Sequence, residues 1–180
     1  MNEPSCLFTE HFPIGGPARH TTIATLKAVL PFESRQKARQ RTHTTAGEEI
    51  GLQLRRGTIL RGGDLLRAAD GTLLEVVAAR EPVSTIFSRN SRQLARVAYH
   101  LGNRHVALQV GPGWVRYLTD HVLDAMVAQL GLNVLHDHQP FEPEAGAYGA
   151  HSHSHAQSDR EPAHTSLAFG ALRVVHRHEP

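Results

Sequence analysis

VSTIFSRNSRQLARVAYHLGNRHVALQVGPGWVRYLTDHVLDAMVAQLGLNVLH, residues 83–136, decides the fold. Val83 to Phe87 reads as a strand. Leu94, Val97, Ala98 and Leu101 then follow the i, i+3, i+4, i+7 spacing of a helix with one apolar face. Ser91 is placed to cap its start and Gly102 to end it. Val106 to Val110 reads as a second strand, Gly111-Pro112-Gly113 as a turn, and Trp114 to Leu118 as a third strand. Thr119 suits the N-cap of a second helix whose apolar positions are Val122, Leu123, Met126, Val127 and Leu130, and Gly131 stops it. Asn133 to His136 supplies a last strand. The order βαββαβ predicts a ferredoxin-like domain.

Upstream, Ala24 to Leu30, Ile50 to Leu54 and Leu73 to Val77 read as strands. Between them lie the turn signals Ala46-Gly47-Glu48, Gly62-Gly63-Asp64 and Asp70-Gly71. Asp-Gly between apolar runs is a hairpin cue. The expected organisation is therefore α+β: a weakly structured leader over 1–21, a β-rich domain over 22–80, the ferredoxin-like domain over 81–149, and a flexible histidine-containing tail over 150–180. Glu81-Pro82 is the expected joint between the domains. Prolines and glycines after Pro140 prohibit a helix there. Leu167 to Val175 is apolar again, and the pattern assigns it no place.

Composition narrows the class. A chain of 180 residues with 40% hydrophobic content is globular and can bury a core. No run approaches the roughly 18 apolar residues of a membrane helix. Met1 to His20 carries Glu3 and Glu10 and no apolar block, so it is not read as a secretory signal. Cys6 alone excludes an intrachain disulfide and thiolate zinc motifs. A cytoplasmic protein is the default expectation, with no membrane partner. The formal net charge of +2 does not demand nucleic acid. One basic row, Arg35, Lys37, Arg39 and Arg41, alternates along a probable strand. Such a row either meets phosphate or an acidic partner, or is a solvated sheet face.

Histidine carries the chemical signal. Eight of the fourteen histidines lie from His136 onward: His136, His138, His151, His153, His155, His164, His176 and His178. Neutral imidazole is the commonest protein ligand of borderline transition metals. His151-Ser152-His153-Ser154-His155 alternates, unlike the contiguous run of an engineered tag, and extended chain puts its imidazoles on one side. His136-Asp137-His138 has the same spacing at a strand end, where a metal site and exposed polar residues leaving the sheet are both open readings. His105 is a lone histidine in a structured motif. A tail that captures ions and a fixed histidine that holds them is the pattern of a metal handler. His100 is read as helix-end packing, favoured there by the helix dipole. His121, in the first turn of the second helix, is either a surface residue or a weak metal site.

His100-Leu101-Gly102-Asn103-Arg104-His105, Arg116-Tyr117-Leu118, Asp120-His121-Val122-Leu123 and Pro140-Phe141-Glu142-Pro143-Glu144-Ala145-Gly146-Ala147-Tyr148-Gly149 stand in fixed order. Together they closely resemble the UreE family of urease accessory nickel metallochaperones. The first half resembles that family's N-terminal domain from Leu30-Pro31-Phe32-Glu33-Ser34-Arg35 through Leu54-Arg55-Arg56-Gly57, Gly63-Asp64 and Asp70-Gly71 to Ala79-Arg80-Glu81. The resemblance implies a peptide-binding-like first domain and a homodimer joined through the second domain, with nickel at the dimer interface. It places the metal histidine of Gly-Asn-Arg-His on His105. A histidine pair of some members falls on Thr119 and His121, so only His121 of that pair is present. The implied metal residues are His105 and His121, with His151, His153 and His155 in the tail. The implied cargo is nickel, with zinc or copper as binders in vitro. The implied partners are the urease maturation proteins, including their GTPase, and apo-urease.

Catalytic signatures are missing. No Gly-rich phosphate loop and no Gly-x-Ser-x-Gly nucleophile motif occurs, so the chain is expected to be neither the GTPase of a metal-insertion system nor an enzyme. Val106 to Val110 has no aromatics on which bases could stack. Two alternatives to nickel delivery remain: a nucleic-acid module using the basic row, and a histidine-rich metal buffer without a delivery partner.

Overall fold

The computed structural model describes residues 6–16 and 26–145. The elements in chain order are β1 (Leu7–Phe12), β2 (Leu26–Leu30), α1 (Phe32–Arg35), β3 (Arg39–His43), β4 (Glu49–Gln53), β5 (Leu65–Ala68), β6 (Leu73–Ala78), β7 (Arg80–Phe87), α2 (Ser91–Gly102), β8 (Gln109–Gly111), β9 (Trp114–Leu118), α3 (His121–Gln129) and β10 (Leu135–Pro140). The chain is mixed α+β, with two sheets and few helices.

The first sheet has the order β2-β6-β5-β1-β4-β3. Its strands alternate as a half-buried sheet requires. Ala28 and Leu30 are buried while Val29 between them is 50% exposed. Phe8, Ile50, Leu52, Leu54, Leu60, Leu66, Ala68, Leu74 and Val76 complete the core. The Asp70-Gly71 cue does join β5 to β6. Gly71 takes φ +89°, and Asp70 Oδ1 accepts from Thr72 N at 2.9 Å.

The leader expectation fails over Leu7–Phe12. This segment is β1, which lies inside the sheet, parallel to β4 through Leu7↔Gly51 and Phe8↔Leu52 and antiparallel to β5. Its partners are more than forty residues away, so no local pattern marks it; one buried ring, Phe8, ties it to the core. Beyond it, Asp64 gathers the connection. Its carboxylate pairs with His11 Nε2 at 2.7 Å and accepts from Ile14 N at 2.8 Å and Arg61 N at 2.9 Å. Burial alone would raise the Asp64 carboxyl, but the His11 and backbone hydrogen bonds outweigh it and hold it below the usual range.

The basic row fails as well. Pro31 at the N-cap and Phe32–Arg35 in a helical turn replace the expected strand, so alternation does not apply there. Arg35 is fully buried, and Lys37 pairs with Glu33 at 2.7 Å. Only Arg39 and Arg41 lie on β3. The expected joint, Glu81-Pro82, falls within two residues of the change of sheet. Glu81 and Pro82 lie inside β7, and one residue, Ala79, separates the strands of the two sheets.

The second sheet has the order β10-β7-β9-β8, with every pairing antiparallel. Its elements follow the expected βαββαβ sequence. The caps differ by one residue from expectation. Asn90 caps α2 by accepting from Arg92 N and Gln93 N, and Asp120 caps α3 by accepting from Val122 N and Leu123 N. Both carboxylate and amide place an acceptor oxygen three bonds from Cα, within reach of the first free amides, as an N-cap needs. The expected strand 106–110 shortens to β8, because Val106 and Leu108 pack against the helix-side core. Gly111 admits no side chain, since a Cβ there would lie 2.2 Å from the Trp114 ring.

Ile86, Val115 and Tyr117 face Val97 and Leu101 of α2 and Val127 of α3. Residues of opposite parity, Val83 and Leu118, meet Phe32 and Phe141 on the other face. The strap Phe141–Pro143 thus lies against both sheets. Phe141 and Phe32 are edge to face at 5.4 Å. Arg35 donates to the carbonyls of Leu30, Leu60 and Phe141 and to Glu142 Oε1 at 3.0 Å. Glu142 also accepts from Gly62 N at 2.7 Å and pairs with Arg61 at 3.2 Å.

Arg35→Ala should lower stability to urea by about 3–5 kcal/mol, the usual cost of stranding the partner of a buried charge. Arg35→Lys should recover little, because one ammonium cannot serve the oxygens of Leu30, Leu60, Phe141 and Glu142 together. A lysine variant as stable as the parent would contradict this account. For Asp64, the lowered folded pKa means that its contribution is present above the unfolded value of about 3.9 and is lost as pH falls through the folded value. Asp64→Asn should therefore cost stability near neutral pH and flatten the acid limb of a stability-versus-pH curve below about pH 4. An acid limb of unchanged slope would show that the group does not titrate with folding.

Candidate metal centre

His105 stands three residues past the end of α2. The helix closes through Arg104 N to Leu101 O at 3.0 Å, His105 N to Gly102 O at 2.9 Å and Val106 N to Leu101 O at 3.3 Å. To make this closure His105 takes φ +57°, the left-handed region, and no other non-glycine residue among those described does so. Glycine is the ordinary occupant of such a helix-ending position. A side chain held there carries strain on the order of 1–2 kcal/mol. The ring is exposed and makes no hydrogen bond among the described residues. Apolar surface surrounds it in sequence: Tyr99 is 65% exposed and Val110 51%. His100 is half-buried, with its ring 5.5 Å from that of Tyr99, and its carbonyl accepts from Arg104 at 3.1 Å. It packs at the helix end, as expected.

The segment after His105 is pinned to the strap. Leu108 O accepts from Glu144 N at 2.7 Å, and Gln109 Oε1 accepts from Glu142 N at 3.1 Å. Glu142 and Glu144 therefore lie beside the segment that follows His105.

His121 is the first residue of α3 and is exposed. No group of three or more His, Cys, Asp or Glu side chains among the described residues is placed to share one ion. His105 and His121 are thus each presented singly. His151, His153 and His155 lie outside the described residues.

One cluster was not legible beforehand. The Tyr117 hydroxyl donates to Asp124 Oδ1 at 2.6 Å, and Asp124 Oδ2 meets His136 Nε2 at 2.8 Å. Burial, then Asp124, pushes the Tyr117 hydroxyl far above its ordinary range, so it stays a donor. Burial alone would raise the Asp124 carboxyl; hydrogen bonds from Tyr117, His136 and Ser84 outweigh it and hold it below the usual range. The spacing of His136 and His138 was visible, but Asp124 reaches His136 only when α3 folds back toward β10.

An open depression of about 670 Å³ is bordered by Phe87, Ser88, Arg89, Ser91, Leu94 and Gly113, a lining with no imidazole or carboxylate. Fold and site together define a two-sheet α+β protein that presents imidazoles at a helix end and a sheet edge. The comparisons agree with that class. The model of the UreE urease accessory protein N-terminal domain matches residues 13–79, and that of its C-terminal domain matches residues 81–178. A urease accessory protein UreE of Alkalilimnicola ehrlichii is 52% identical over 141 residues, 78% of this chain and 83% of its own length. Those of Alcanivorax borkumensis and Pseudomonas putida are 53% and 54% identical, over 76% and 70% of this chain and 79% and 77% of their own lengths. The chain belongs to the UreE family of urease accessory proteins. Relatives that carry the name of accessory proteins fit a non-enzyme. No helix among the described residues is long and apolar enough to cross a membrane.

The strain at residue 105 is testable by itself. His105→Gly should leave stability unchanged or raise it by up to about 1 kcal/mol, because glycine adopts the left-handed region freely. His105→Ala, which keeps the strain, should not stabilise. Thermal unfolding of the two variants measures the difference, and a strongly destabilised glycine variant would mean that the ring is needed for packing.

Proposed function

We propose that this chain is a cytoplasmic nickel metallochaperone that delivers nickel to the urease maturation complex and does no covalent chemistry. The observation that carries the reading is His105: an exposed imidazole kept at a backbone position where glycine would be unstrained. Strain of that kind persists where a side chain is required. One imidazole per chain is a poor site, because nickel takes four to six ligands. A homodimer formed through the second domain would present His105 twice across a two-fold axis. The exposed Tyr99 and Val110 supply apolar surface for such a contact. The strand order β10-β7-β9-β8 supports reading that domain as ferredoxin-like.

Tail histidines His151, His153 and His155 would assist. His151 follows Glu144 by seven positions, a covalent reach of at most about 25 Å. His121 would add a weaker contact. The partners in this reading are the urease maturation proteins, including their GTPase, and apo-urease. A nucleic-acid module finds no support, because the basic row is broken by the burial of Arg35. Zinc and copper are expected to bind in vitro, since ligand type alone does not exclude them.

Isothermal titration with nickel, run with mass measurement in solution, tests the proposal. One tight ion per two chains is expected, lost in His105→Ala and retained when the chain is cut after Gly149, with fewer weak sites in the cut form. Because protons compete with the metal for imidazole, binding should fall between about pH 7 and 5. A monomer that binds one tight ion alone, or undiminished binding at about pH 5, would refute the histidine interface. Tight binding with no activation of apo-urease would leave a metal buffer instead.

A further inference from the structure

We propose that His136 and His138 form a second, exchangeable site for a divalent cation of the nickel, copper and zinc class, on the edge of the second sheet, with Asp124 orienting His136. β10 is the edge strand of that sheet. His136 is paired with Ser84 and His138 with Pro82, so the two side chains leave the same face, the one that Ile86 and Tyr117 share with the helices. Their Cα atoms are two strand residues apart, about 6.5–7 Å. Metal–imidazole bonds of about 2.0–2.1 Å let two such rings turn toward a single ion between them.

The His136–Asp124 contact settles the tautomer. An ionised carboxylate only accepts, so the hydrogen lies on Nε2 and the lone pair of the neutral ring is on Nδ1. A carboxylate on the remote ring nitrogen is the usual outer partner of a metal-bound histidine. Here that carboxylate is itself fixed from below, because its other oxygen takes the hydroxyl of the buried Tyr117 at 2.6 Å. His136 is 59% exposed and Asp124 17%, so the imidazole faces solvent while its orienting group does not. The His138 ring is exposed and makes no hydrogen bond among the described residues.

Topology adds a third imidazole to the same end. β9 and β10 both run antiparallel to β7, so they are parallel to each other. α3 joins them and must run back against β10. His121 is therefore one turn beyond Asp124 in the direction in which β10 proceeds from His136 to His138. Among the described residues no three donors converge as the side chains stand. The site is thus two imidazoles completed by water, and its exchange is faster than that of a full protein cage. It neither contains His105 nor depends on the dimer.

Histidine footprinting on the full-length protein tests the site. Diethyl pyrocarbonate labels exposed imidazoles, and mass spectrometry locates the label. Nickel should protect His136 and His138 at least several-fold, in the parent and equally in His105→Ala. The double variant His136→Ala/His138→Ala should bind one nickel fewer per chain while keeping the His105-dependent site. Asp124→Asn should retain protection at saturation but need about 10–100-fold more nickel to reach it, and a melting curve checks that its fold persists. Equal labelling of both histidines with and without nickel would overturn the proposal. So would loss of their protection in His105→Ala, because the pair would then not be a site of its own.

Discussion

A single buried guanidinium, that of Arg35, holds the two sheets to one strap. Its donors reach the carbonyls of Leu30 and Leu60 in the first domain and the carbonyl of Phe141 and carboxylate of Glu142 in the strap. Glu142 is gripped from a second side by Arg61 and by the amide of Gly62. Gly62 sits close against it: a Cβ would stand 3.0 Å from Glu142 Oε1 and 3.3 Å from the Ala78 methyl, so a larger residue would make these neighbours give by a few tenths of an ångström. A buried pair of this kind adds little net stability over apolar packing, but removing either half is costly. It acts as a positional lock, with the Phe32–Phe141 contact supplying the apolar part.

The lock decides where histidines are displayed. β10 runs directly into the strap, so His136 and His138 lie just upstream of it. The strap then runs past Leu108 and Gln109, a few residues beyond His105. Two imidazole positions far apart in sequence are thereby tied to the same rigid piece of chain.

The two positions are built differently. At His105 the backbone is strained and the ring has no orienting partner among the described residues, which suits a ligand whose companions come from elsewhere. At His136 the backbone is ordinary strand, and Asp124 and Tyr117 hold the ring from behind. One arrangement leaves the ring free to meet a partner's; the other fixes its tautomer in advance.

Periodicity alone was enough for the second domain: the 3.6-residue spacing of Leu94, Val97 and Leu101 and the period-two strands around it specify βαββαβ, because those signals are local. The Asp70-Gly71 hairpin and the helix end at Gly102 were legible for the same reason, and so was His105 as a singular residue in its motif. β1 was not legible, because its partners are distant and Phe8 is its one fully buried side chain. The burial of Arg35 was invisible in a row that alternated like a strand; the helical turn after Pro31 and the strap more than a hundred residues on decide it. Likewise the spacing of His136 and His138 is in the sequence, but the carboxylate behind His136 arrives only when α3 folds back against β10. Local hydrogen bonding and side-chain period are written in neighbouring residues, whereas the partners of buried charges are chosen by packing between segments far apart in the chain.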